Sequence, residues 1–492
     1  MTEDRDAQRR AAIREQFGAL YDEARWPDEA LSSAATKERD GLARDLLGAG
    51  VTETANGTKL QRGPLSRGCQ ACVDGTWSCL YIAEWCQADC FYCPKDSVSR
   101  RSRDDYTPNA ERMGFSDPQF YADYVEACGV KEVGISGGEP LAALDRVLST
   151  VSALKERTNG RLYVHVYTNG LLATPERLAS LRDAGVDELR LDITARDYDT
   201  SALALARDYI DTLTVEIPAI PEDEARLPAV FRELSAIGVD HLNLHQLDVT
   251  VANAPAFLAR GYTLVHQPVV VVMESELTAL RAFRQALEDG IDLNINYCCP
   301  TFRYRFQRRK HTARAAALER GPCEDVTLPG FLRRLVLHDR VENLAQIEGR
   351  LRSRGHDSEH ARIDGDAGTL TLDLAALRDT EAGGAELVAT YFLAEMATGD
   401  LGDGWHESRA LDHGQLWVRR SIAAEAQFTL PVVRDAYVGM LCDGWDQARA
   451  FAAALATGGA SVGELRPLMR EWSQVLQLRG GEVIEKGLGS II

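Results

Sequence analysis

Cys86-Gln87-Ala88-Asp89-Cys90-Phe91-Tyr92-Cys93 is the stretch on which the reading of this chain turns. Its three thiols are spaced C-x3-C-x2-C, and six of the chain's eleven cysteines (Cys69, Cys72, Cys79, Cys86, Cys90 and Cys93) fall within 25 residues. In a reducing compartment such clustering points to metal or redox chemistry rather than to disulfides. Three thiolates on a short loop can bind three irons of a 4Fe-4S cluster and leave the fourth iron open to a ligand. The competing reading is a zinc site, which needs a fourth ligand and usually shows paired C-x2-C elements.

Upstream, the apolar run from Trp77 to Glu84 has strand length and leads straight into the cysteine loop. Downstream, Ile135-Ser136-Gly137-Gly138-Glu139-Pro140 follows an apolar stretch and opens a helical pattern; Gly137 lies 44 residues beyond Cys93. Glycines there let the backbone approach a ligand closely. The cysteine spacing, the aromatic Tyr92 before the last cysteine and the GGE turn together resemble the radical S-adenosylmethionine (radical SAM) superfamily. The resemblance covers about residues 65–320. The segments Gly68-Cys69-Gln70-Ala71-Cys72, His241 to Asp248 and Asn296-Tyr297-Cys298-Cys299 look like a group related to pyruvate formate-lyase activating enzyme, whose substrates are unassigned.

The resemblance implies that Cys86, Cys90 and Cys93 ligate the cluster and that Tyr92 positions the adenine. It implies that Glu139 binds the methionine amine, with Ser136, Gly137 and Gly138 alongside. Thr168, Asn169, Asp192 and Thr194 become candidates for the ribose or the substrate. The chemistry implied is reductive cleavage of S-adenosylmethionine to a 5′-deoxyadenosyl radical that abstracts a substrate hydrogen, fed by a flavodoxin- or ferredoxin-type electron donor. The substrate is a small molecule or a peptide, and the sequence marks no residue as catalytic.

Strand-like runs at Glu132–Ser136, Leu162–Thr168, Glu188–Ile193, Thr212–Ile217, His241–Leu247, Val269–Met273 and Leu293–Tyr297 alternate with helical stretches such as Pro140–Glu156, Pro175–Ala184 and Glu276–Leu287. This alternation predicts an α/β fold, a partial or full (βα) barrel, with the motifs on the C-terminal face of the strands. Residues 1–64 read as a charged helical extension, 65–324 as the barrel and 325–492 as a mainly helical C-terminal domain. The helical patterns of that domain are Gly330–Leu337, Glu386–Met396 and Leu465–Leu476, with breaks at Gly383-Gly384 and Gly458-Gly459.

The surplus cysteines leave two readings open. Cys69, Cys72, Cys298 and Cys299, with Cys79 or Cys323, could form a second iron–sulfur or zinc site, or they are small buried residues. Cys69 and Cys72 precede the first strand whereas Cys298 follows the last, so only a folded-back N-terminal segment would bring them together. Cys79, Cys128 and Cys442 read as packing. The basic run from Arg303 to Arg314 is either an anion site or a solvated helix face. His241 and His245 suggest a polar barrel interior.

The 492 residues are 45% hydrophobic and 26% charged, ordinary for a globular chain, and the net charge is −19. That balance disfavours phosphate-backbone binding, so no nucleic-acid partner is expected. No apolar run has the length of a membrane span and the charged N-terminus has no secretory h-region, which predicts a cytoplasmic protein without a membrane partner. Three alternatives compete with hydrogen abstraction on an unknown substrate: a glycyl-radical-enzyme activase, a methylase or peptide-modifying enzyme, and a zinc-stabilised scaffold without activity.

Overall fold

A computed structural model of the chain describes residues 2–94, 106–399, 401, 404–445 and 462–491. Seven parallel strands carry the first unit: β1 (Trp77–Ala83), β2 (Glu132–Gly137), β3 (Tyr163–Thr168), β4 (Glu188–Leu191), β5 (Thr212–Pro218), β6 (His241–His245) and β7 (Asn294–Cys298). Each pairs with the next in chain order, and β1 does not pair with β7. An antiparallel strand, Lys59–Arg62, covers the β7 edge, and short strands at Asn109–Ala110 and Met113–Gly114 cover the β1 edge. The sheet is therefore a partial barrel with covered edges, which removes the hazard of unpaired backbone.

Helices α1 (Pro118–Ala127), α2 (Leu144–Arg157), α3 (Pro175–Ala184), α4 (Ser201–Ala206), α5 (Leu227–Ile237) and α6 (Met273–Glu288) form the crossovers. Their starts carry local signals: Asp117 and Thr174 accept from Gln119 N and Arg177 N, and proline follows each cap. The pleat sorts the strand residues by chemistry. Val133, Ile135, Val164, Val166, Leu189, Val215, Leu242, Leu244 and Ile295 are buried on the helix-facing side. The alternate positions Glu188, Arg190, Thr214, Glu216, Asn243 and Asn296 line the inside and hydrogen-bond to one another.

The helix Arg67–Asp74 occupies that polar interior. Its Ser66 cap accepts from Arg190 Nη2 at 2.8 Å, and Cys69 Sγ lies 3.3 Å from Asn243 Nδ2. Gly68 fits there because a Cβ would stand 2.3 Å from Arg190 Nη2. This helix is the folded-back segment that brings cysteines from before β1 to the level of β7.

The run Val269–Met273 does not join the barrel. Val270–Val272 pairs instead with Leu264–His266 in a two-stranded antiparallel ribbon. A short apolar run marks burial but not its partner. Residues 1–64 fall within this first unit, which comprises residues 1–307, 411–414 and 485–492.

The second unit comprises residues 308–410 and 415–484. It has helices, including Val341–Ser353, Pro431–Asp443 and Val462–Leu478, but they pack on a seven-stranded antiparallel sheet. Two stretches expected as helices are strands of it, Leu332–His338 and Glu386–Ala397, paired from Leu332↔Phe392 to His338↔Glu386. Their burial alternates, with Leu335, Leu337, Leu387, Ala389 and Tyr391 inside, which is the two-residue period of a strand. The expected helix Leu465–Leu476 lies within Val462–Leu478, and Gly458-Gly459 lies outside the described residues.

Candidate active site

The loop after β1 and the turn after β2 are locked together at the C-terminal edge of the sheet. Gly138 N donates to Ala83 O at 2.7 Å and Glu139 N donates to Trp85 O at 2.8 Å. A Cβ on Gly137 would stand 2.4 Å from Ala83 O, and one on Gly138 would stand 2.1 Å from Trp85 O. Only glycine permits this approach, and Gly137 also has φ +147°.

Glu139 is wholly buried. Its Oε1 accepts from Leu141 N and Thr168 Oγ1 at 2.9 and 2.7 Å, and its Oε2 accepts from Asn169 N at 2.9 Å. Burial raises its pKa, and these donors oppose the rise. Asn169 then turns to the cysteine loop: its Nδ2 lies 3.4 Å from Cys86 Sγ, and its Oδ1 accepts from Gln87 Nε2 at 3.0 Å. Hydrogen bonds thus run without a break from the GGE turn, through the end of β3, to the first cysteine.

Cys86, Cys90 and Cys93 are free thiols, the first two half-buried and the third exposed. Burial raises Cys86 and pushes Cys90 up to about 11, so both are protonated in the bare chain and metal uptake must displace their protons. Among the described residues no three His, Cys, Asp or Glu side chains converge on a single ion. A cluster makes a different demand, because each thiolate binds a different iron and the sulfurs stand farther apart. The donor set, soft thiolates supported by Asn169 and by Ala88 N on Cys86, fits such a cluster.

Tyr92 points its hydroxyl at Asp192, donating to Oδ2 at 2.9 Å, while Asp192 Oδ1 caps the turn Ile193–Arg196 through Thr194 N. Burial pushes Asp192 up to about 6 against these hydrogen bonds. A cavity of about 370 Å³ opens beside them, lined in part by Cys90, Tyr92, Thr194, Tyr198 and Arg260. Ser136 lies opposite Tyr81 on β2, one residue before the glycines. The nine expected cofactor residues therefore sit at or just beyond the C-terminal ends of β1 to β4.

The surplus cysteines divide. Cys298 stands opposite Lys59 across the antiparallel edge, with Cys69 and Cys72 nearby; burial would lower the Lys59 ammonium, and Cys298 above all raises it. Cys299 does not join them; its Sγ approaches Thr58 O and Phe302 N instead. Cys323 lies in the second unit, where its Sγ approaches Ser358 O. In the basic run, Arg303 pairs with Asp248 at 3.0 Å and Arg305 with Glu485 at 2.9 Å. Sequence reasoning did not find Lys59 or Glu216 as site residues. Lys59 carries no signal, because its position depends on the register of an edge strand.

The Radical SAM superfamily profile matches residues 80–217. A protein of Methanocaldococcus jannaschii named as a glycyl-radical enzyme activating enzyme is 30% identical over 294 residues, 58% of this chain and 76% of that protein. The chain belongs to the radical SAM superfamily, whose cofactors are a 4Fe-4S cluster and S-adenosylmethionine. GTP 3′,8-cyclase of Rhodopirellula baltica is 28% identical over 29% of this chain and 38% of its own length. PqqA peptide cyclase of Bradyrhizobium diazoefficiens is 30% identical over 23% of this chain and 27% of its own length. No helix among the described residues is long and apolar enough to cross a membrane.

Proposed function

We propose that this chain is an enzyme that cleaves S-adenosylmethionine reductively and abstracts a hydrogen atom from a substrate through a 5′-deoxyadenosyl radical. The observation that supports this is the hydrogen-bonded continuity of the cysteine loop, the GGE turn and the end of β3. When bound, a cluster on Cys86, Cys90 and Cys93 supplies the electron for that cleavage, drawn from a flavodoxin- or ferredoxin-type donor.

The chain's own residues prepare the place. Asn169 and Ala88 N donate to Cys86 Sγ, which orients that ligand. Gly137 and Gly138 expose bare backbone against which the amino-acid end of the cofactor would lie, with Ser136 alongside. Glu139 uses three of a carboxylate's four acceptor directions on the protein and keeps one for the amine. Tyr92 gives an aromatic wall for the adenine. Thr168, Asn169, Asp192 and Thr194 are the ribose or substrate contacts.

A second reading, activation of a glycyl-radical enzyme, is favoured by the archaeal relative's name. It predicts a large protein substrate and a stable complex with it.

The test is anaerobic reconstitution of wild type and of the triple variant Cys86, Cys90 and Cys93→Ala. Iron, sulfide and 5′-deoxyadenosine are then measured. About four irons and turnover in wild type, with both lost in the variant, support the proposal. Zinc in place of iron, with no cleavage, refutes it.

A further inference from the structure

Asn169 follows directly on β3 and is buried. Its backbone N–H donates to Glu139 Oε2, which fixes the residue against the GGE turn. Its side-chain Oδ1 accepts twice, from Leu171 N and from Gln87 Nε2 of the cysteine loop, each at 3.0 Å. Both acceptor directions of that oxygen are therefore filled by N–H donors. Turning the amide over would set Nδ2 against the same two donors, so Nδ2 is the end that faces the cysteine loop. There it stands 3.4 Å from Cys86 Sγ. Gln87 Oε1 is buried without a partner among the described residues, so the bond to Asn169 is what orients the Gln87 amide.

We propose, on the reading that Cys86, Cys90 and Cys93 hold a 4Fe-4S cluster, that Asn169 raises the reduction potential of that cluster through its bond to Cys86 Sγ, with Gln87 as the residue that positions it. One electron enters from the flavodoxin- or ferredoxin-type donor; no proton follows it and no bond is made or broken. Reduction thus adds one negative charge, part of which falls on the thiolate sulfurs. An N–H aimed at a ligand sulfur is held more strongly by the reduced state than by the oxidised one. The effect is large here because Asn169 is buried and its amide is already locked in place by Leu171 N and Gln87. Ala88 N also reaches Cys86 Sγ at 3.4 Å, but as a backbone donor that is common to any side chain at that position.

The direction of the change separates this role from a structural one. Loss of the N–H favours the oxidised state and lowers the potential. Loosening the loop so that water enters does the reverse, because water stabilises the state with more negative charge. Asn169→Ala keeps the backbone bond to Glu139, so the GGE turn retains its anchor. Asn169→Asp keeps an acceptor for Leu171 N and Gln87 Nε2 and puts a carboxylate oxygen, which repels the sulfur, where the donor was.

The test is a redox titration of the anaerobically reconstituted full chain without S-adenosylmethionine. Wild type, N169A, N169D and Q87A are poised with mediators, the reduced cluster is followed by electron paramagnetic resonance, and iron and sulfide are measured on the same samples. At a fixed potential N169A should hold about tenfold less reduced relative to oxidised cluster, a midpoint lower by about 59 mV for one electron. N169D should lie lower still, and Q87A between N169A and wild type. Pulsed resonance on reduced wild type labelled with nitrogen-15 in its asparagine amides should show a coupling from that label, which reads the bond without any variant. With about four irons in every sample, a midpoint in N169A and N169D equal to or above wild type overturns the role of Asn169 and leaves the cluster standing. Where a variant does not load, absence of the nitrogen-15 coupling in wild type overturns it equally. Wild type that takes up no iron overturns the cluster reading itself.

Discussion

Gly138→Ala tests the closeness of the GGE turn to the cysteine loop. The added Cβ would stand 2.1 Å from Trp85 O and 2.5 Å from Glu84 O, both backbone atoms that cannot rotate away. Relief demands a separation of about 1 Å, since heavy atoms in contact sit near 3.5 Å and the backbone can share part of the shift. That movement breaks Gly138 N→Ala83 O and Glu139 N→Trp85 O. Two hydrogen bonds at about 1 kcal/mol each and about 1–3 kcal/mol of overpacking give a destabilisation of about 3–5 kcal/mol. Where the fold survives, a displacement of about 1 Å between turn and loop should lower 5′-deoxyadenosine formation about 100-fold. The assay is denaturant unfolding beside anaerobic turnover, with Gly41→Ala as the control. Gly41 is helical with nothing within 4 Å of an added Cβ, so that change should stabilise by about 0.5–1 kcal/mol. Wild-type stability and turnover in G138A would refute the reasoning.

Asp192→Asn should stabilise the protein above about pH 6, by at most about 3 kcal/mol. The Asp192 pKa is raised by burial, so wild type has the full stability of this group only below the unfolded carboxyl range and loses it as pH rises through about 6; the gap between variant and wild type should vanish near pH 4 in a pH series of urea melts. Arg190→Met leaves Glu188 and Glu216 buried without their cation and should cost about 3–5 kcal/mol in the same assay. Glu139→Gln replaces an acceptor oxygen with a donor against Leu141 N, Thr168 Oγ1 and Asn169 N; a loss of about 1–3 kcal/mol is expected by thermal unfolding, and weaker S-adenosylmethionine binding by equilibrium dialysis.

Much of the barrel was legible because local chemistry specifies it. Strands such as Tyr163–Thr168 and Thr212–Pro218 combine β-branched and aromatic residues, and the cap and proline of Pro175–Ala184 mark its start. The cysteine spacing and the GGE turn were legible for the same reason, since their partners lie within a few residues or at one strand's end. The failures share a cause as well. Leu332–His338 and Glu386–Ala397 are apolar runs whose state depends on the strands they meet, and Val270–Val272 is apolar but finds its partner outside the barrel.

By itself the sequence determined the strand and helix alternation, the three-thiol loop and the glycines that let a turn lie against it. Only the tertiary structure decided that the barrel stays open, because closure depends on which strands cover its edges. It alone placed the helix Arg67–Asp74 inside the sheet and brought Lys59, Cys298, His245 and Glu216 onto neighbouring strand positions. Those residues come from four separate segments, and register between distant strands is a property of packing and pairing that no local pattern encodes.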